Sequence, residues 1–205
     1  IQSSIDQSLK VNIVVLDDAS EINIKDRLQD KFRDYPVKWI RSDSPSGVAG
    51  ARNKLVKSSQ GSIMVFLDDD AYFTDEYSLE KILKKFSTSD EIAGMAFKII
   101  LRQDVDGLQI PFNRLKRFLN KDIHNEESEV SYYVGAGHVL LRETFEKVEG
   151  YDTELFYGLE ELDISSEIIK EDKKIIYFPQ VQVIHEPKKS VVDKKNKLKD
   201  EAYYS

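Results

Sequence analysis

The amino-acid sequence predicts an α/β domain with a mostly parallel central sheet flanked by helices. Two short apolar runs, residues 11–16 and 63–67, are rich in β-branched residues, and an aspartate follows each run. Runs of this length and composition are typical of buried parallel strands. Segments with helical spacing alternate with them, and the resulting β-α-β-α-β order is the pattern of a layered parallel sheet.

The remaining strands and helices are predicted from short apolar runs and from helical spacing of apolar residues, respectively. The predicted strands are short apolar runs at residues 37–40, 92–100, 139–141, 174–178 and 181–184. The predicted helices have helical spacing of apolar residues at 24–32, 48–56, 78–86 and 159–170. Residues 102–129 are polar. Because a structureless loop of that length is uncommon in a compact domain, a short helix is expected within it at residues 112–119.

Length and composition favour one domain. The 205 residues are 40% hydrophobic, which suffices for a single α/β core and is a tight fit for two domains. We assign residues 1–187 to the domain and residues 188–205 to a basic tail, which holds six lysines against three acidic residues. The net charge of −7 argues against a general nucleic-acid binder, because phosphate affinity needs a basic surface.

Two features that the sequence lacks restrict the kinds of site and the cellular location that are expected. The chain contains no cysteine, which excludes disulfides and thiolate metal sites. It also has no run of about 18 apolar residues, so no membrane span is predicted within it. We expect a cytoplasmic protein, with any membrane association carried by flanking segments or by the basic tail.

Three consecutive aspartates, Asp68, Asp69 and Asp70, follow the apolar run at 63–67. They are predicted at the carboxyl edge of the sheet, where open α/β sheets bind ligands. Carboxylates this close repel one another unless a cation lies between them, and oxygen ligands suit Mg²⁺ or Mn²⁺ bridging to substrate phosphates. A solvated acidic turn is the alternative explanation.

Asp17 and Asp18 end the first strand in the same way and are expected on the same sheet edge. A carboxylate there can accept hydrogen bonds from a ribose or a base, which favours a nucleotide-facing role. The alternative is structural, because Asp or Ser before a helix accepts hydrogen bonds from its first amide groups.

Other candidate residues have both a structural and a functional explanation. Arg52, near a predicted helix start, can pair with a carboxylate or a phosphate, or can be an ordinary surface residue. His185 ends the last strand as a ligand or a surface residue. Residues 135–137 (Gly-Ala-Gly) allow close backbone approach or form only a turn.

Glu160, Glu161 and Asp163 cluster at the start of the helix at 159–170. The helix dipole favours acidic residues there, which is a sufficient structural explanation. Glu160 and Asp163 also share a helix face, and a carboxylate held there can take a proton from an alcohol.

Together these segments resemble the GT-A glycosyltransferases of the large inverting family 2. The matching segments run in order along residues 1–187: VVLDDAS at 14–20 resembles V-V-x-D-D-G-S, GARN at 50–53 the A-R-N helix start, FLDDD at 66–70 the F-L-D-x-D metal motif, GYD at 150–152 the G-F-D-E segment, and EELDI at 160–164 the E-D-x-D-L segment. Each motif alone is weak, but five in order are specific.

The resemblance implies a fold, an activity and a set of roles. A sugar would move, with inversion, from a UDP-, GDP- or dTDP-linked donor to a saccharide or other hydroxyl acceptor, assisted by Mn²⁺ or Mg²⁺. Glu161 is the implied base, with Asp163 as its alternative, and the implied metal ligands are Asp70 and His185. The implied nucleotide-sugar-binding residues are Asp17, Asp18, Arg52, Asp68 and Asp69. Residues 135–137 would shape the acceptor side.

Two departures from the family pattern affect these roles. Glu161 stands where the family usually has Asp, so Asp163 or Glu160 is an alternative base. The family begins with a central strand and a turn that touches the nucleotide base, whereas Ile1 already lies in what resembles the first helix. A chain without that strand is expected to bind its donor weakly.

Three alternative functions share features with this sequence. The first is a catalytically inactive GT-A-like binding or scaffold domain, which the missing strand favours. The second is a phosphoacceptor signalling domain, which gathers acidic residues around Mg²⁺ but has no place for the acidic helix start at 160. The third is a nucleotidyltransferase with a similar sheet.

Overall fold

The computed structural model describes residues 1–102, 107–155 and 158–187, and the predicted basic tail lies outside them. Its helices are α1 (Gln2–Ile5), α2 (Ile24–Leu28), α3 (Gly47–Ser58), α4 (Ser78–Phe86), α5 (Arg114–Leu119), α6 (Arg142–Lys147) and α7 (Glu160–Lys170), with a 3-10 turn at Ile123–Asn125. Its strands are β1 (Ile13–Asp17), β2 (Val37–Arg41), β3 (Ile63–Leu67), β4 (Ala71–Phe73), β5 (Ile92–Leu101), β6 (Leu108–Gln109), β7 (Ser128–Val130), β8 (Gly137–Leu141) and β9 (Lys174–His185).

Each element predicted from the sequence is present, with two corrections to their extents. Helix α2 stops at Leu28, short of the predicted end at 32. The two strands predicted at 174–178 and 181–184 form the single strand β9, because an irregularity in its pairing with β5 absorbs the residues between them. The short elements β4, β6, β7 and α6 were not predicted.

Pairing in the main sheet is mixed, which corrects the prediction of a mostly parallel sheet. The sheet has seven strands: five follow the order β3-β8-β5-β9-β4, β6 pairs with β5, and β7 pairs with β9. Strands β5 and β9 pair in parallel, whereas β8 runs antiparallel to both β3 and β5. The apolar composition of a buried strand does not encode its direction, so the reversal of β8 left no signal in the sequence.

Strands β1 and β2 form a separate parallel pair, in register from Ile13 opposite Val37 to Asp17 opposite Arg41. Within the described residues, β1 and β3 each have a strand partner on one side only. The four apolar residues of β1 are accordingly only half-buried. The central first strand of the family pattern has no counterpart among the described residues.

Two apolar layers cover the faces of the main sheet and fix the helices that carry the site. One layer joins α3, α6 and α7 to the sheet through Ala49, Phe145 and Ile164. The other contains Leu79 and Ile82 of α4. Helices α3 and α7 therefore lie on the same face. None of the helices in the described residues has the length and apolar character needed to cross a bilayer.

Candidate active site

Asp17 is the buried end of β1, and its carboxylate holds the following turn. It accepts hydrogen bonds from the amides of Ser20 (2.9 Å) and Ile24 (3.1 Å) and pairs with Arg41 on β2. Burial raises the pKa of this carboxyl, but the Ser20 and Ile24 amides and Arg41 prevail and lower it to about 2. These contacts match the structural role that the sequence analysis gave as the alternative.

The turn after Asp17 also contains a strained residue. Ala19 has a φ of 62°, in the left-handed region that favours glycine. This is the position at which the family pattern has glycine, so the structure explains that preference.

Asp18 lies against the N-terminus of α3. It accepts hydrogen bonds from the amide (2.8 Å) and hydroxyl (2.6 Å) of Ser46, and Lys54 Nζ lies 3.8 Å from its Oδ1. Burial raises the pKa of Asp18, but the hydrogen bonds from Ser46 lower it by more than burial raises it, so the net shift is downward. Its side chain remains 25% exposed, which leaves an ionised carboxylate within reach of a ligand.

Asp68 and Asp70, in the turn after β3, meet His185 at the end of β9. One potential ligand atom of each residue lies within 4.8 Å of the others, and His185 Nε2 is 3.2 Å from Asp70 Oδ1. Strand β4 causes this meeting, because Ala71 pairs with His185 and the amide of Glu186 donates to the Asp70 carbonyl at 2.9 Å. Asp69, by contrast, is exposed and outside the cluster.

The second ring nitrogen of His185 is held by Gln109, a residue that the sequence analysis missed. His185 Nδ1 lies 3.0 Å from Gln109 Oε1, and because a carbonyl oxygen can only accept, this contact is a hydrogen bond in the tautomer that carries the proton on Nδ1. The lone pair of Nε2 then faces Asp70. Two carboxylates and an imidazole form a donor set that fits a divalent metal ion, and a hydrogen bond at Nδ1 is the support that such histidine ligands normally have.

Arg52 connects this cluster to the start of α7. It is 6% exposed. Its Nη2 lies 3.7 Å from Asp68 Oδ1, and its Nη1 lies 3.0 Å from Glu161 Oε1 and 3.5 Å from Glu160 Oε1. Burial lowers the pKa of Arg52, but Tyr151 and the acidic residues reverse that effect and raise it. The guanidinium is therefore a permanent charge held by protein carboxylates.

Glu160 and Glu161 differ in their access to solvent. The Glu160 side chain is buried, and burial together with Glu161 raises its pKa. The Glu161 side chain is 20% exposed. Its position requires a glycine at 135, because a Cβ there would overlap Glu161 Oε1 and lie 2.6 Å from Arg52 Nη2. Of the two glutamates, Glu161 is the one that can reach a substrate.

A buried aromatic stack supports Arg52 from below. The His138 ring lies between Phe66 (4.7 Å between ring centres) and Tyr133 (4.1 Å). His138 Nε2 is 2.9 Å from the Tyr151 hydroxyl, and the Tyr151 ring centre is 5.5 Å from Arg52 Cζ. Burial, with help from Arg52, lowers the pKa of His138 well below its usual range, so this ring is neutral. The stack therefore packs beneath the Arg52 side chain and helps to hold the guanidinium in place.

The structure thus brings most of the predicted site residues into one connected network. Asp68, Asp70 and His185 form one part, and Arg52 links it to Glu161. Asp18 joins it through α3, the helix that carries Arg52. Asp69 lies outside the metal cluster, Asp17 is bonded to the turn after β1, and Asp163 lies half-buried on α7, two positions beyond Glu161.

The chain is similar to known glycosyltransferases in sequence. A family model described as "Glycosyl transferase family 2" matches residues 1–149. One relative, a Bacillus subtilis (strain 168) protein named "Uncharacterized glycosyltransferase YwdF", is 26% identical over 143 residues, which cover 70% of this chain and 52% of that protein. The chain therefore spans about half the length of this relative.

Two solved structures have a similar fold. A crystal structure of GalNAc-T7 with UDP, GalNAc and Mn²⁺ has a TM-score of 0.72 and 19% identity, covering 91% of this chain and 40% of that one. The mannosyltransferase PcManGT from Pyrobaculum calidifontis, in complex with GDP-Man and Mn²⁺, has a TM-score of 0.69 and 18% identity, covering 92% and 52%. At these identities the likeness establishes a shared fold.

Proposed function

The chain belongs to glycosyl transferase family 2 and has the GT-A fold, and from this premise we propose that it transfers a sugar from a nucleotide-sugar donor to an acceptor hydroxyl, with inversion and with a divalent metal ion. One observation carries the proposal. Buried Arg52 lies 3.7 Å from Asp68 in the candidate metal cluster and 3.0 Å from partly exposed Glu161. A donor-binding end and a proton-accepting end are thereby held in one rigid unit.

Asp68, Asp70 and His185 are the residues proposed to hold the metal ion. When bound, the ion neutralises charge on the departing nucleoside diphosphate. The imidazole nitrogen favours a transition ion such as Mn²⁺ over Mg²⁺, which prefers oxygen ligands alone. The structural relatives contain UDP or GDP-mannose, which supports a nucleoside-diphosphate sugar as the donor class.

Asp18 is proposed to accept hydrogen bonds from the nucleoside. Ser46 holds it ionised and in place, and its exposed fraction leaves lone pairs for ribose or base donors. Asp17 is proposed to position Asp18 without touching the nucleotide, because its hydrogen bonds hold the turn that carries Asp18.

Glu161 is the proposed general base. It takes the proton of the acceptor hydroxyl as the acceptor oxygen bonds to the anomeric carbon and the bond to the diphosphate oxygen breaks, with its electron pair leaving on the diphosphate. Glu160 is too buried for this role. Asp163 remains the alternative, but residues two apart on a helix do not face each other, and Arg52 contacts Glu161.

The test is a separate measurement of donor affinity and transfer rate in Glu161→Gln. This variant keeps the side-chain volume and is expected to keep donor affinity while losing transfer by about 10²–10⁴-fold. Asp163→Asn is the matched control, expected to affect helix capping or acceptor placement more than turnover. If Glu161→Gln retained transfer and Asp163→Asn lost it, Asp163 would be the base. If the wild type bound the donor but transferred no sugar, the inactive-scaffold alternative would gain support.

A further inference from the structure

Helix α5 exposes an apolar surface that the core does not use. Leu115, Phe118 and Leu119 are 64%, 78% and 74% exposed. Their spacing of three and four residues places them on one side of the helix. Isolated exposed apolar side chains are normal on a protein surface, but three on a single short helix form a patch.

This helix is anchored through the residues that precede it. Phe112 is buried and packs edge-on against Tyr177, with ring centres 5.0 Å apart. Asn113 caps the helix by accepting a hydrogen bond from the amide of Lys116 at 2.9 Å. The apolar side chains of α5 are therefore held outward by a fixed attachment.

The surroundings of the patch are basic, although the chain as a whole is acidic. Residues 110–121 contain four Lys or Arg residues and no acidic residue, in a chain of net charge −7. An adjoining groove combines cationic and apolar lining residues: Lys98, Arg117, Lys121, Leu108, Ile110 and Phe118. The surface thus suits a partner that is both anionic and apolar.

We propose that α5 and this groove dock the protein on an anionic lipid bilayer. The apolar side chains would enter the boundary between headgroups and acyl chains, and the cations would contact lipid phosphates. A bilayer supplies both chemistries at the scale of two helical turns, whereas a protein partner would need an apolar pocket ringed by acidic residues. This surface is separate from the basic tail at residues 188–205, because its residues belong to the folded domain.

The docking surface adjoins the candidate metal cluster along β6. Leu108 and Ile110 line the groove, and Gln109 between them contacts His185. Docking would therefore present this edge of the sheet to the membrane interface. Vesicle binding itself needs neither donor nor turnover, so its result is independent of the proposed reaction.

Co-sedimentation of the full chain with vesicles tests the proposal. The wild type is expected to bind vesicles of equal parts phosphatidylglycerol and phosphatidylcholine and to bind pure phosphatidylcholine weakly. Phe118→Ser with Leu119→Ser should weaken binding by at least about tenfold. Arg117→Glu with Lys121→Glu should weaken it by at least about twentyfold and reduce its salt dependence.

The matched control is Leu83→Ser with Lys84→Glu, which removes an exposed leucine and an exposed lysine from α4 and should leave vesicle binding unchanged. All substituted side chains are exposed, so thermal melting should also be unchanged. Absence of wild-type binding, or equal binding by the α5 variants, would overturn the proposal. So would a dimer in solution that Phe118→Ser with Leu119→Ser dissociates, because a second copy would then occupy the patch.

Discussion

At the scale of single residues, function depends on hydrogen bonds that decide what a neighbouring side chain can do. His185 is a usable metal ligand because Gln109 occupies its other nitrogen. Glu161 is held by Arg52, and Gly135 leaves room for that pair. The candidate metal ligands and the candidate base were predicted from motifs. Gln109 could not be, because it lies on a two-residue strand inside a polar stretch with no periodic signal.

Gln109→Leu should weaken Mn²⁺ binding by about 10–100-fold, which is the usual effect of losing the partner of a metal-bound histidine. The side chain of leucine has a similar size but cannot accept a hydrogen bond from Nδ1, so the tautomer and ring orientation of His185 are no longer fixed. Titration of Mn²⁺ followed by electron paramagnetic resonance measures the affinity without any substrate. Unchanged affinity in this variant would show that Gln109 does not support the ligand.

Ala19→Gly should raise the free energy of unfolding by about 0.5–1 kcal/mol. The gain is the relief of a left-handed backbone, less the greater entropy that glycine has in the unfolded chain. Denaturant unfolding measures it, and Ala51→Gly inside α3 is the opposite-sign control, expected to destabilise by about 1 kcal/mol. A loss of stability in Ala19→Gly would mean that the turn does not hold residue 19 at positive φ.

At the scale of elements, the site is built where helices α3 and α7 meet the turn before β8. Arg52 comes from α3, Glu161 from α7 and Gly135 from that turn. Both helices, and Arg52 and Glu161 as candidate residues on them, were predicted from the sequence, because helical spacing and helix-start composition are local signals. The sequence did not predict that Gly135 serves the Arg52–Glu161 pair, since that contact joins residues distant in sequence.

Gly135→Ala should separate metal binding from transfer. The new methyl group would overlap Glu161 Oε1 and lie 2.6 Å from Arg52 Nη2, and both atoms are the ends of long side chains, so the fold should survive while the Arg52–Glu161 pair shifts. Because small displacements of a catalytic group are costly, transfer should fall by about 10²-fold, with a much smaller change in Mn²⁺ affinity. Gly61→Ala is the control, because its added Cβ would come no closer than 3.2 Å to the surrounding atoms. Normal transfer by Gly135→Ala would argue against a precise placement of Glu161.

At the scale of the whole molecule, the α/β class and the edge that carries the site could be predicted, whereas the sheet topology could not. Asp70 and His185 were expected together as metal ligands because of the family resemblance, and the structure brings them together with Asp68 beside them. Their meeting depends on β4, an unpredicted strand that pairs with β9. Strand β8 lies antiparallel between β3 and β5 because of pairing between residues distant in sequence, and an apolar run contains no information about such pairing.

Mn²⁺-dependent nucleotide binding at the Asp68–Asp70–His185 cluster is the central claim, and calorimetry with UDP and GDP on the wild type, Asp70→Ala and Asp69→Ala tests it most directly. Asp70 lies in the cluster and Asp69 is exposed outside it, so the two neighbouring substitutions remove the same charge from different places. The wild type should bind at least one nucleotide only when Mn²⁺ is present, Asp70→Ala should abolish that binding, and Asp69→Ala should have far less effect. No metal-dependent binding by the wild type, no loss in Asp70→Ala, or equal loss in both variants would contradict the account.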